Sequence, residues 1–90
     1  MNQTQQIAYT QILHYILSLP LQRKFCLDGA FYSAAGIMGL SPIDKRVIGK
    51  YFKNQVAANQ IANVKFDYIY SNCLRCGYKD SSNKVHYIRV

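Results

Sequence analysis

Three cysteines, two histidines and four acids, all of them aspartate, are the residues of this 90-residue chain that could carry covalent or metal chemistry. Cys73 and Cys76 stand in a C-x-x-C spacing followed by Gly77, which can bring two thiolates to one metal ion. A tetrahedral zinc needs a second pair, and only Cys26 and His86 remain to supply it, neither with the usual paired spacing. A structural zinc, within one chain or shared between two, is therefore the alternative to two ordinary cysteines at a hairpin tip. A redox role would need a βαβ setting and a helix N-terminus to lower the thiol pKa, and neither surrounds this pair. A Cys26–His86 nucleophile pair is conceivable from composition alone, but the apolar context of Cys26 favours a packed thiol. His14 falls on the polar side of its segment and reads as a surface residue.

The aspartates, at positions 28, 44, 67 and 80, are dispersed, so no carboxylate pair is set up for acid–base or two-metal work. No glycine-rich phosphate loop or dinucleotide fingerprint occurs. The expectation is a protein that is not an enzyme and needs no cofactor.

Charge carries more information. Eleven Lys and Arg against four acids give a formal charge of +7. Such a balance points to phosphate backbones, anionic surfaces or an acidic protein as partner. No basic residue precedes Arg23, so the first quarter reads as structural and the remainder as the partner-facing part.

The elements that would position these charges can be read in order. Thr4 to Leu19 has the period of an amphipathic helix, with Ala8, Tyr9, Ile12, Leu13, Ile16 and Leu17 in one half of the wheel and Ile7 misplaced. Pro20 stops it. Phe25-Cys26-Leu27 is a brief strand, and Asp28 caps a short helix through Phe31 and Ala35 that ends at Gly36 or Gly39. Ser41-Pro42-Ile43-Asp44 is the strongest local signal: a capping serine, proline at the first helical position, and an acid near the positive helix end. The helix that follows should reach Ala58, with Val47, Ile48, Tyr51, Phe52 and Val56 along its apolar face. Arg46, Lys50 and Lys53 fall within about 60° of one another on the opposite face.

Val64 to Tyr70 is a strand by propensity, Ser71 to Gly77 a turn, and Val85 to Val90 a second strand. The resulting hairpin carries Lys65, Arg75, Lys79, Lys84 and Arg89. Tyr68, Tyr70, Tyr78 and Tyr87 in the same region fit cross-strand packing, with a stacking platform or an aromatic protein-binding surface as alternatives.

Two to three helices followed by a basic C-terminal β-hairpin is the order of a winged helix, so the expected fold is a single α+β, winged-helix-like domain over residues 1–90. The second half also resembles a family of short bacterial and prophage-associated proteins with no assigned activity. The motifs that carry the likeness are Ile48-Gly49-Lys50-Tyr51-Phe52, Asn63-Val64, and Asp80-Ser81-Ser82-Asn83 with Tyr87, spread over residues 41–90. The resemblance implies a winged-helix-like fold and no activity. The stretch from Lys65 to Tyr78 is longer than that family's usual turn.

Half of the residues are apolar and 17% charged, which excludes a disordered tail protein. Gly29 to Leu40 is far short of the roughly 18 apolar residues of a membrane span. The odd cysteine count and the absence of a signal-like N-terminus favour a reducing cytoplasm. The expected function is a small DNA-binding regulator. Arg46, Lys50, Lys53 and Asn54 would enter the groove of duplex DNA, with Asn54 placed for bidentate contact with adenine, and Arg75, Lys79 and Lys84 would touch phosphates. The alternative is a protein-interaction module, a prophage-type inhibitor or adaptor, docking an acidic partner through its basic, Tyr-rich face. A homodimer formed through the uncharged first helix fits either reading.

Overall fold

The side chain of Asn2 accepts a hydrogen bond from the backbone N–H of Gln5 at 2.8 Å, and Gln5 Oε1 accepts from the backbone of Asn2 at 3.0 Å. This reciprocal cap satisfies two N–H groups that a helix start leaves open, and it launches α1, Gln3–Leu17. The computed structural model of the chain describes residues 1–67 and 85–90. α1 ends at Ser18, two residues before Pro20, and buries Ala8, Ile12 and Ile16. Ile7 is exposed, as its place on the wheel requires, and Leu17 at the helix end is exposed as well.

A turn through Gln22, at φ 70°, leads into β1, Lys24–Cys26. Asp28 then caps α2, Gly29–Ala34, accepting from the Phe31 N–H at 2.9 Å. Gly36 takes the left-handed conformation that ends this helix, and Ile37 N–H donates back to the Tyr32 carbonyl at 3.0 Å. The turn therefore drives Ile37 into the core, where it is buried.

Ser41 accepts from the Asp44 N–H at 3.1 Å and starts α3, Pro42–Ala57, with proline in the first turn. Its end repeats the device used by α2, with Asn59 at φ 58° and Gln60 N–H donating to the Gln55 carbonyl at 2.9 Å. Ile48, Phe52 and Val56 are buried. Val47 and Tyr51, expected on the same apolar face, lie at its margin and stay 37% and 41% exposed. The stripe that reaches the core is therefore narrower than the apolar stripe in the sequence.

β2, Val64–Phe66, and β3, His86–Arg89, complete a three-stranded antiparallel sheet of order β1-β3-β2. The last strand in sequence is thus the central one. Phe25 and Phe66 both pair with Tyr87, so one row of rings crosses the sheet. Tyr87 meets Phe52 edge-on with ring centroids 4.8 Å apart, and Phe25 stacks on Phe31 at 5.6 Å. This aromatic set joins sheet, α2 and α3, and each such ring contributes about 1.5–3 kcal/mol by leaving water. The chain is a small α+β protein of three helices and one three-stranded antiparallel sheet among the described residues. No helix among those residues is long and apolar enough to cross a membrane.

Candidate nucleic-acid interface

The register of α3 is fixed at its start and on its inner face. Gln5 Nε2 donates to Asp44 Oδ1 at 2.8 Å, tying the first turn of α3 to α1. Tyr9 of α1 meets Tyr51 edge-on at 5.0 Å. With Ile48 and Phe52 turned inward, Arg46, Lys50 and Lys53 must point out, and all three are exposed.

These three side chains and Gly49 form one wall of a groove of about 510 Å³. Leu27, just after β1, and Val85 and Tyr87 at the start of β3 line it from the sheet side. Among the described residues Lys24 pairs with Asp67 at 3.8 Å, and Arg46, Lys50 and Lys53 form no ion pair. The positive charge of Arg46, Lys50 and Lys53 is therefore not neutralised by a neighbouring described acid. Burial pushes the Tyr87 hydroxyl well above its ordinary pKa, with Tyr32 and Cys26 adding to the shift. The phenol stays neutral at physiological pH and leaves the charge of the groove intact.

Other cations have structural work. Lys45 lies over the Tyr32 ring at 5.8 Å, while the Tyr32 hydroxyl donates to the Lys45 carbonyl at 3.3 Å. Arg89, expected on a basic hairpin surface, instead donates to backbone carbonyls of Val90, Asn63 and Leu17. It clamps the chain's end to α1 and to the residue before β2. Lys65 is exposed on β2.

Asn54 is exposed on α3 but does not line the groove; at about 100° per residue it sits some 40° beyond Lys50. It shares that outer side with Ile43 and Val47, which are also exposed. The helix thus has two edges, a cationic one toward β3 and a mixed apolar–amide one turned outward. Arg75, Lys79, Lys84, Cys73 and Cys76 lie outside the described residues.

Cys26 and His86 do come together. They are register partners across β1 and β3, both buried, and Cys26 Sγ lies 4.0 Å from Asp28 Oδ2. Among the described residues no group of three or more metal-ligating side chains converges.

Gly49, Leu27, Val85 and Tyr87 are the groove residues that the basic stripe alone did not reveal. Leu27 and Val85 are ordinary apolar positions with no signal in sequence, and Tyr87 stood out only as one of several hairpin tyrosines. Gly49 had a signal: a glycine in a helix interior costs about 1 kcal/mol relative to alanine, so its presence asks for a reason.

Compared with known proteins, the chain matches no protein-family model, no curated protein and no solved structure.

Proposed function

We propose that this chain is a non-enzymatic, winged-helix-like domain that binds duplex DNA in the cytoplasm, as a small regulator. The observation that carries the reading is the convergence of Arg46, Lys50 and Lys53 on one groove beside α3, without a described acid to neutralise them. Phosphates are the natural counter-charge for such a wall, and the sequence-independent part of DNA affinity comes from meeting them. The order helix, strand, helix, helix, strand, strand, with β1 paired to β3, supports the winged-helix reading. In that arrangement α3 is the helix presented to the major groove. Asn54, Ile43 and Val47 on its outer edge face the bases, amide to adenine and methyls to thymine. Arg75, Lys79 and Lys84 add phosphate contacts from the β2–β3 connection.

The test is a fluorescence-anisotropy titration of labelled duplex with wild type and with the Arg46→Ala/Lys50→Ala/Lys53→Ala variant. Wild type binds and the triple variant loses nearly all affinity while keeping its fold. Equal binding by both removes α3 from the interface.

A second reading rests on a specific feature, the exposed row Ile43, Val47 and Tyr51 along α3 beside the basic stripe. An acidic protein with an apolar ridge would use both edges at once. In that case Val47→Ser and Tyr51→Ala cost more affinity than Lys50→Ala, the reverse of the DNA order.

A further inference from the structure

Gly49 stands at the middle of α3 in ordinary helical backbone, eight residues into a helix of 16. Neither of the usual structural reasons for glycine applies. Its φ is not positive, and a Cβ built on it would meet no atom within 4 Å among the described residues. Nothing described packs so closely there that a methyl would be refused. Yet alanine is the better helix former.

What distinguishes the position is its surroundings. Gly49 lies on the wall of the groove between α3 and β3, among Arg46, Lys50 and Lys53, with Leu27, Val85 and Tyr87 opposite. Missing a side chain, it leaves bare helix backbone along the inner edge of the three cations.

Resting on the DNA-binding reading above, we infer that one sugar–phosphate strand of the bound duplex seats in this groove directly against Gly49. Its phosphates are held by Arg46, Lys50 and Lys53, and its sugars lie toward Leu27 and Val85. Glycine is the residue that admits the close approach of a second backbone. Charge complementarity selects the occupant: a wall with three cations and no described acid takes a polyanion. The apolar opposite side suits the carbon face of a deoxyribose better than it suits a free phosphate ion. The groove thus fixes which edge of α3 meets the backbone and leaves Asn54, Ile43 and Val47 for the bases. Gly49 is a positioning residue for the strand, acting through shape and not through charge.

The experiment compares Gly49→Ala and Gly49→Leu with wild type, by thermal unfolding and by duplex titration at two salt concentrations. Both replacements favour the helix, so Tm should rise, for alanine by about 5 °C. Duplex affinity should fall at the same time, about tenfold for alanine and further for leucine, as added methyl groups lift the strand from its seat. The salt slope should shrink with it, because phosphates held away from Arg46 and Lys53 no longer release counterions.

Unchanged affinity in both variants overturns the inference, since a contact made only by the field of the lysines does not feel a neutral methyl. That result leaves the DNA-binding reading standing on the triple variant. A lower Tm in Gly49→Ala also overturns it, by giving the glycine a folding role. Absence of duplex binding by wild type removes both.

Discussion

Cys26 and His86 stand directly opposite each other across β1 and β3, and both are closed to solvent, at 0% and 1% exposure. Far apart in the chain, they become neighbours only because β3 returns to the centre of the sheet. Proximity alone does not make a nucleophile and its base, because a thiol sealed in this way meets no substrate. In a Cys73→Ser/Cys76→Ser background, the Cys26 thiol should resist a thiol-specific reagent in native buffer and react fully in denaturant. Rapid native labelling would contradict the burial and reopen a catalytic reading of the pair.

The Gln5–Asp44 hydrogen bond links the starts of α1 and α3 and has a pH signature. The Gln5 amide, with Ser41 adding, holds the Asp44 carboxyl below its usual range. In the unfolded chain the group titrates at about 3.9, so around and below that pH the unfolded state binds more protons than the folded one. The stabilisation is complete above that value and is lost as pH falls through the lower, folded pKa. The urea midpoint of wild type should drop as pH falls below the ordinary carboxylate range, and Asp44→Asn should flatten part of that fall. Identical profiles would show that the bond does not couple to folding.

Phe52 has no exposed surface and sits between Tyr9, Phe25 and Tyr87. Phe52→Ala should cost about 3–5 kcal/mol, a large part of the roughly 5–15 kcal/mol that holds a domain of this kind together. Chemical denaturation measures it. A loss below about 1 kcal/mol would mean the aromatic cluster does not hold α3 on the sheet.

Lys50 and Lys53 face solvent on the opposite side of the same helix, so the two kinds of residue separate folding from binding. Lys50→Ala and Lys53→Ala should each change stability by no more than about 0.5 kcal/mol. Each should reduce the salt slope of duplex binding by about 1. A variant that binds with an unchanged slope has lost a lysine that touches no phosphate.

Much of the framework was legible because it is written in local signals. Ser41-Pro42 and Asp28 announce helix starts through side-chain chemistry confined to a few residues, and the α2 and α3 boundaries follow them closely. Arg46, Lys50 and Lys53 were visible as a face because helical period alone decides which side they share. What escaped was tertiary. The sequence spacing cannot reveal that β3 lies between β1 and β2, so it could not set Tyr87 and Val85 across a groove from Lys50. Nor could it separate Val47 and Tyr51 from the core face, since helical period sets them beside Ile48 and Phe52 and only tertiary packing leaves them exposed. Arg89 read as a surface cation because nothing local shows the carbonyls of Asn63 and Leu17 arriving beside it.

The central claim is that the cationic wall of α3 meets a phosphate backbone. The most direct measurement is the affinity of the wild-type protein for a labelled random-sequence duplex across a series of salt concentrations. Neutralisation of several phosphates gives binding that weakens steeply, with a log–log slope of about −3 or steeper. No binding at low salt, or an affinity indifferent to salt, would contradict the claim and hand the groove to a protein partner.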